Sequence, residues 1–266
     1  MRYSNLHNHS TFSDGKCSME ENVLSAIEKN MVSLGFSDHS FTPCDTSYCM
    51  KEERYPEYLD TIAALKQKYA GRIDLFAGIE LDYYTEMDTS ALDYVIASAH
   101  YIIENGVCYP IDHSPQQQKQ CMEEGFGGDV LAMAQRYFDI MVEHVSRCKP
   151  TFVGHFDVIT KFSLMPEEDP RYRKIAIEAL KEILKVCPYI EMNTGAIARG
   201  WRKMPYPNAY LLDTIRENGG EILLSADSHH KDNLIYFFDE AVDLLKQAGF
   251  DHISQFTGKG FIKVSI

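Results

Sequence analysis

Histidines and carboxylates recur at the ends of short apolar runs along this chain. The first run ends in His7-Asn8-His9, where two imidazoles two residues apart face the same side of an extended strand. Imidazole and carboxylate groups are ligands that suit zinc, manganese and iron without choosing among them. We therefore expect a metal site wherever the ends of these runs meet. Its candidate ligands are His7, His9, Asp14, His39, Glu80, His100, His155, Asp227 and His229.

Alternating strand and helix signals explain how such distant residues could meet. Apolar runs at 3–7, 33–37, 74–79, 94–98, 151–154, 189–192 and 221–225 are separated by helical patterns, apart from an irregular insertion at 101–128. Such runs predict a parallel sheet buried on both faces. Seven units predict a distorted seven-stranded (β/α)7 barrel of the TIM type, formed as a single α/β domain over residues 1–266. In α/β barrels the carboxyl ends of the strands form the active face, so the candidate ligands would share one rim.

Composition narrows the classes of partner. Asp and Glu outnumber Lys and Arg by 39 to 26, which gives a formal net charge of −13 and disfavours a nucleic-acid partner. A small anionic substrate stays possible, because bound cations reverse the local field. No apolar run reaches the roughly 18 residues of a membrane span, and the first residues lack a secretion signal. We expect a cytoplasmic protein, and the oligomeric state is left open.

The cysteines and the remaining histidines suggest no chemistry of their own. Seven cysteines are present without a C-x-x-C pair, so we expect reduced thiols. Four histidines lie away from the predicted strand ends and are expected to be structural or exposed. These are His113, His144, His230 and His252.

Several metal ions held on one rim would favour phosphate-ester hydrolysis. A pair of divalent ions lowers the pKa of a bridging water to near neutrality and clamps the attacking and leaving oxygens. The transition state of phosphoryl transfer spreads negative charge over oxygens, which such ions stabilise.

Six ordered motifs carry a resemblance to a known family. The sequence resembles the polymerase and histidinol phosphatase (PHP) family, and in length it is most similar to the stand-alone histidinol-phosphate phosphatases. The resemblance implies a distorted seven-stranded barrel with three metal ions. The motifs are His7-x-His9, Asp38-His39, Gly78-Ile79-Glu80, Ser98-Ala99-His100, Gly154-His155-Phe156-Asp157 and Ser225-Ala226-Asp227-Ser228-His229.

The resemblance also implies how the ligands are shared among three divalent ions, which would be zinc, manganese or iron. The second ion would share Glu80 with the first and add His100 and His155, and the third would take Asp14, His39 and His229. The first ion would take His7, His9, Glu80 and Asp227.

The activity implied is that of a histidinol-phosphatase of histidine biosynthesis, a hydrolase that attacks a phosphomonoester with a metal-bridging hydroxide. Asp227 or His229 would relay a proton to the leaving alkoxide. Basic residues after predicted strands five and six would bind the phosphate. Lys161 is the candidate in the first loop, and Arg199 and Arg202 compete in the second. The alternatives are a PHP phosphoesterase acting on nucleotides or phosphodiesters, and a non-catalytic metal-binding module.

Overall fold

Seven parallel strands form the central sheet of the computed structural model, which describes residues 1–266. The order of strands in this sheet is β1-β2-β3-β4-β7-β8-β9, and two antiparallel hairpins, β5-β6 and β10-β11, lie outside it. The strands are β1 (Ser4–Asn5), β2 (Ser33–Phe36), β3 (Asp74–Asp82), β4 (Tyr94–Ser98), β5 (Tyr101–Glu104), β6 (Val107–Pro110), β7 (Phe152–Val153), β8 (Tyr189–Asn193), β9 (Glu221–Ser225), β10 (His252–Phe256) and β11 (Phe261–Ser265).

The sheet closes into a barrel at its carboxyl rim. Just beyond the ends of β1 and β9, the N–H of His9 donates to the carbonyl of Ser228 at 2.8 Å, and the N–H of Ser228 donates to the carbonyl of His7 at 3.2 Å. Asn8 and Ser228 form a parallel bridge between the two chain segments. The predicted seven-stranded α/β barrel is therefore confirmed, and its closing bonds are made by the first two candidate ligands.

Helices follow most strands. Several begin at side-chain caps: Ser18 and Glu21 form a reciprocal capping box, and the carboxylates of Asp129 and Asp169 accept from the first N–H groups of two further helices. No helix is both long and apolar enough to span a membrane. The helices are α1 (Met19–Glu28), α2 (Tyr55–Lys68), α3 (Pro115–Gln120), α4 (Val130–Cys148), α5 (Pro170–Leu184), α6 (Gly195–Ala198), α7 (Ala209–Glu217) and α8 (Phe238–Gln247).

The barrel interior is filled by one tyrosine and its neighbours. Tyr94 is fully buried and donates its hydroxyl to the carbonyls of Leu6 and Phe36. Its ring occupies the space that a Cβ would take at Gly78, where the ideal Cβ position lies 2.2 Å from the ring. Because residues two apart on a strand share a face, Glu80 stands directly above Gly78. The packed interior thus supports the candidate metal residues from below.

Neither hairpin, β5-β6 or β10-β11, was predicted from the sequence. The irregular insertion expected at 101–128 contains the hairpin β5-β6, in which Tyr101 pairs with Pro110 and Glu104 with Val107. Its turn is Asn105-Gly106, where both residues have positive φ, as a tight two-residue hairpin turn requires. Strands β5 and β6 are each only four residues long, so their alternation of apolar and polar residues is too short to distinguish them from a loop.

The expectation of seven reduced thiols is wrong. Cys44, in the loop after β2, and Cys108, on β6, form a disulfide with a Cα–Cα distance of 5.9 Å. Sixty-four positions separate them along the chain, so no local spacing signals the pair. The hairpin β5-β6 brings them together and thereby links two segments that border the barrel mouth. The five other cysteines are free thiols.

Candidate metal centre

The nine candidate ligands converge on the carboxyl rim of the barrel. Their donor atoms fall into four overlapping groups, in each of which all atoms lie within 4.8 Å of one another. Overlap of this kind is what a cluster of neighbouring ions needs, because ligands can then be shared. The groups are His9, Asp14, His39 and His229; His7, Glu80 and His155; His7, His9 and Asp227; and His39, Glu80 and His100.

Glu80 lies at the centre of the cluster. One carboxylate oxygen, Oε1, is 2.8 Å from Nε2 of His155 and 3.2 Å from Nε2 of His100. The other, Oε2, is 2.7 Å from Nδ1 of His39 and 3.3 Å from Nε2 of His7. Glu80 is buried, and its two oxygens face different sets of imidazoles, since Nε2 of His9 also lies 3.6 Å from Oε2. This is the geometry of a carboxylate that can bridge two cations.

Asp227 approaches the cluster from the opposite strand. Its Oδ1 is 3.2 Å from Nε2 of His9 and 3.8 Å from Nε2 of His7. The residue has a φ of +43°, in the left-handed region that side chains seldom adopt. Gly195 allows the close approach, since a Cβ there would lie 2.8 Å from the carbonyl of Ala226 and 2.9 Å from Cβ of Asp227. Local strain of this kind is concentrated at functional sites.

Asp14 brings the loop after β1 to the mouth of the barrel. Its Oδ2 is 3.2 Å from Nε2 of His229, and its Oδ1 is 3.7 Å from Nε2 of His39 and 3.9 Å from Nδ1 of His9. Asp38 holds this loop by accepting four hydrogen bonds, from the backbone N–H and the hydroxyl of both Ser10 and Ser13. The Asp38-His39 step thus positions both the loop and a candidate ligand.

Several buried nitrogen and oxygen atoms of the candidate ligands have no hydrogen-bond partner. Buried polar atoms are almost always paired, so a group of orphans at one place calls for a missing partner. These atoms surround the positions shared by the four groups, and nitrogen and oxygen donors suit divalent cations. The donor set therefore fits divalent metal ions. The orphans are Nε2 of His7, Nδ1 and Nε2 of His9, Oδ1 of Asp14 and Oε2 of Glu80, and Nδ1 of His155 also lacks a partner.

Glu80 and His9 have pKa shifts that suit cation binding, whereas, against the effect of burial, nearby carboxylates raise the pKa of His7, His39 and His100. Burial opposes ionisation of Glu80, yet His39, His7 and His100 hold its pKa well below its usual value. Burial lowers the pKa of His9 to about 3, and His229 and His39 add to that shift. A cation needs ionised carboxylates and neutral imidazoles as ligands. Glu80 and His9 are both in the required form at neutral pH.

A second layer of carboxylates fixes the imidazole rings. Glu191 lies within 2.9 Å of Nδ1 of His7 and accepts the backbone N–H of His155 at 2.6 Å. Asp82 is 3.2 Å from Nδ1 of His100. Carboxylates in this position select the tautomer and the orientation of metal-binding histidines. Neither residue was predicted as part of the site, although Glu191 lies at a predicted strand end.

The three candidate phosphate-binding cations lie in different surroundings. Lys161 and Arg199 line a cavity of about 240 Å³ that opens onto the cluster. Arg199 donates to Oδ2 of Asp227 at 2.8 Å. Arg202 does not line this cavity, because its guanidinium donates to Thr160 at 2.6 Å and to Asn208 at 2.7 Å.

Loop residues complete the cavity and had no signal in the sequence. Tyr48 stands edge-on to His39, with ring centroids 4.8 Å apart, and stacks with Tyr101 at 6.4 Å. Asp112 and His113 line the same cavity from the segment after β6. His113 was expected to be structural or exposed; it is exposed, but at the mouth of the site. The positions of Tyr101, Asp112 and His113 depend on where the insertion packs, and that of Tyr48 on the loop after β2; local sequence patterns predict neither.

Seven parallel strands with a rim of buried imidazoles and carboxylates define an α/β barrel whose donor groups fit divalent metal ions. The sequence model of the PHP domain family matches residues 5–195, so this chain belongs to the PHP domain family.

Relatives match the chain over most of its length. A Deinococcus radiodurans protein described as a probable histidinol-phosphatase is 29% identical over 86% of this chain and 86% of its own length. A Schizosaccharomyces pombe protein described in the same words is 28% identical over 79% of this chain and 74% of its own length. The crystal structure of histidinol phosphate phosphatase from Lactococcus lactis, complexed with zinc, L-histidinol and phosphate, covers 98% of this chain and 99% of its own with a TM-score of 0.74 and 22% identity. The last similarity supports the barrel fold.

Proposed function

We propose that this chain is a metal-dependent phosphomonoesterase that hydrolyses L-histidinol phosphate to L-histidinol and phosphate in histidine biosynthesis. The observation that carries the proposal is the convergence of nine imidazole and carboxylate side chains on one cavity that also contains Lys161 and Arg199. Metal ions and the charged side chains of lysine and arginine both suit a phosphate dianion. Relatives described as histidinol-phosphatases match it over most of their own length, which supports the particular substrate.

We assign three ions to the centre, with the ligands shared as the family resemblance implies. Glu80 would bridge the first two ions, because its Oε1 faces the imidazoles assigned to the second ion and its Oε2 faces those assigned to the first. Asp14, His39 and His229 would hold the third at the mouth. Zinc, manganese and iron all suit these donors, and the zinc complex of the Lactococcus lactis protein favours zinc. Such ions would supply a lowered pKa for water and positive charge for the phosphoryl oxygens.

The residues of the chain would position the substrate and move the proton. Arg199 keeps Asp227 ionised: burial opposes ionisation, but Arg199 and His7 hold the pKa of Asp227 well below its usual value. Asp227 can then turn one oxygen to His9 and the other to Arg199. His229 is part-exposed at the mouth of the cavity, where a leaving alkoxide would depart. Asp227 and His229 are our candidates for relaying a proton to that alkoxide; Asp227, being ionised, would first accept a proton from the attacking water and then pass it on.

We further propose that residues 1–266 act as one phosphoesterase domain in the cytoplasm on a small phosphorylated substrate. All seven parallel strands belong to one sheet, and ligands come from both its first and its last strand. The substrate must reach a cavity of about 240 Å³, which suits a small molecule better than a folded polymer.

Steady-state phosphate release tests the proposal directly. The panel contains L-histidinol phosphate, mononucleotides, a phosphodiester and an aryl phosphate, each assayed with zinc or manganese. We expect kcat/KM to be highest for L-histidinol phosphate. Comparable values across the panel would contradict the assignment to histidine biosynthesis and leave a general phosphoesterase. No turnover of any member would instead favour a non-catalytic metal-binding module.

A further inference from the structure

Asp112 is an acidic residue in a cavity that we expect to receive a phosphate. The segment that carries it follows β6 and is anchored beside the metal cluster, since the N–H of Ile111 donates to the carbonyl of His100 at 2.9 Å. The side chain of Asp112 is one-fifth exposed and lines the same cavity as His155 and His229. None of the candidate metal groups includes Asp112. A carboxylate here therefore needs a purpose other than metal binding.

Lys161 and Asp112 form a close ion pair. The ammonium of Lys161 donates to the backbone carbonyl of Asp112 at 2.6 Å and to its Oδ2 at 3.2 Å. Burial opposes ionisation of Asp112, but Lys161, His100 and His155 lower its pKa to about 2. The carboxylate is thus charged at neutral pH. The pair also means that the positive charge of Lys161 is already matched.

One oxygen of Asp112 stays available. Lys161 occupies Oδ2, whereas Oδ1 accepts no hydrogen bond from any residue of the chain. Oδ1 is not among the fully enclosed polar atoms that lack a partner, so it keeps some exposure, and Asp112 lines the cavity. An accessible carboxylate oxygen beside a phosphate site repels an ordinary phosphate ester. It attracts an ester that carries its own positive charge close to the phosphate.

L-Histidinol phosphate has this combination of charges. Its ammonium group is on the carbon next to the one that carries the phosphate ester. Mononucleotides and aryl phosphates have no such group. We propose that Oδ1 of Asp112 accepts a hydrogen bond from the substrate ammonium and makes the enzyme selective for phosphate monoesters of 2-amino alcohols. This inference rests on the proposed phosphomonoesterase function.

A rival explanation is that Asp112 only orients Lys161 toward the phosphate. The two explanations differ in one measurable respect. If Asp112 only orients Lys161, its loss weakens the hydrolysis of every phosphate monoester by the same factor. If Asp112 binds the ammonium, its loss weakens only the substrates that carry one.

Two matched substrate pairs separate these explanations. The first pair is L-histidinol phosphate and 3-(imidazol-4-yl)propyl phosphate, which lacks only the ammonium. The second pair is O-phosphoethanolamine and propyl phosphate. We expect the wild-type enzyme to prefer the ammonium member of each pair in kcat/KM by about 10- to 100-fold, as a charge-assisted hydrogen bond predicts. Asp112→Asn should abolish that preference and leave the neutral members unchanged or faster.

Equal losses for both members of a pair in Asp112→Asn would overturn the inference, as would an undiminished preference for the ammonium. The wild-type preference is informative even if the variant fails to fold, because a wild-type enzyme without it also excludes the role. Asp139→Asn, exposed on α4, removes the same charge outside the cavity and should keep the preference. Metal content measured for both variants checks that the cluster is intact.

The two pairs also keep this inference separate from the proposed substrate. Turnover of L-histidinol phosphate without any dependence on the ammonium would leave the proposed function standing and reject the role of Asp112. Ammonium preference in the short pair alone, with L-histidinol phosphate inert, would reject that substrate and support the role of Asp112.

Discussion

Nδ1 of His7 lies 2.9 Å from Oε2 of Glu191 inside the barrel, so the Nε2 of the same ring faces Glu80 and Asp227. The interaction is buried at both ends. Glu191 also accepts hydrogen bonds from the backbone of His155 and from the side chains of Asn193 and Ser225. One carboxylate therefore fixes candidate ligands on two strands.

Glu191→Gln should weaken metal binding without touching a ligand. The amide keeps one acceptor oxygen. Its NH₂ group replaces the second carboxylate oxygen, so the groups that donate to that oxygen in the wild type lose their acceptor. Loss of such a partner of a metal-binding histidine typically costs about 10- to 100-fold in metal affinity. Competition with a chelator, followed by metal analysis, measures the change. The control is Glu178→Gln, exposed on α5. Equal metal retention in both variants would contradict a positioning role for Glu191.

The strand ends explain how much of this site the sequence could predict. Each candidate ligand follows or ends a short apolar run, and parallel strands place such positions on one rim regardless of the details of packing. His7, Glu80 and Asp227 could therefore be expected to meet. The role of Glu191 could not, because a strand-end carboxylate looks the same in sequence whether it faces a metal or an imidazole.

Residues on insertions lie beyond such reasoning. Asp112 and Tyr101 reach the cavity because the hairpin β5-β6 folds back over the rim, and Cys108 meets Cys44 for the same reason. Contacts between distant segments depend on the tertiary position of the hairpin. The Asn105-Gly106 turn signals a hairpin but does not indicate where it packs.

Gly195→Ala should disturb the metal centre through Asp227. The new Cβ would lie 2.8 Å from the carbonyl of Ala226 and 3.0 Å from Oδ2 of Asp227, so the backbone must shift. We expect lower metal content and at least about a tenfold loss in kcat/KM, as small misplacements at reacting centres produce. Gly125→Ala is the control, because its Cβ would meet only side-chain atoms, of Tyr109 at 3.4 Å and of Glu104 at 3.6 Å. Wild-type kinetics in Gly195→Ala would show that the rim tolerates the displacement.

The competing arginines should differ in their effects. Arg199→Ala removes a cavity cation bonded to Asp227, so we expect kcat/KM to fall by about 10- to 100-fold. Arg202→Ala removes hydrogen bonds to Thr160 and Asn208, so its main effect should be a lower melting temperature. Phosphate-release kinetics and thermal melts measured on both variants test the distinction. A larger kinetic loss in Arg202→Ala would mean that the wrong arginine was chosen.

The stability contributed by His252 should depend on pH. A hydrogen bond to Asp251 raises the pKa of His252, burial opposes the shift, and Glu221 at 2.6 Å adds to it. A group whose pKa is raised in the folded state stabilises the protein at pH values below its unfolded pKa of about 6.5. That stabilisation is lost as the pH rises through the folded pKa. Denaturant unfolding of the wild type and His252→Gln should therefore show a larger difference at about pH 5.5 than at about pH 9. A difference that grows with pH would contradict this coupling.

The disulfide between Cys44 and Cys108 should stabilise the folded chain. It closes a loop of 64 residues, and a link of that length stabilises by at most about 4 kcal/mol through the entropy of the unfolded chain. Dithiothreitol should lower the melting temperature of the wild type and leave Cys44→Ser/Cys108→Ser unaffected. Thiol titration of the denatured, unreduced protein should find the five free cysteines. Seven reactive thiols would show that the bond does not form.

Loss of the disulfide should also alter the cavity, because it joins the loop of Tyr48 to the hairpin of Tyr101. The two rings stack 6.4 Å apart along one side of the cavity, and Tyr48 also packs against His39. Once the link is cut, we expect KM for L-histidinol phosphate to rise more than kcat falls, since the metal ligands lie on the barrel strands. Cys148→Ser, which removes a free thiol on α4, is the matched control and should leave both constants unchanged. An unchanged KM in Cys44→Ser/Cys108→Ser would show that packing alone holds Tyr48 and Tyr101 in place.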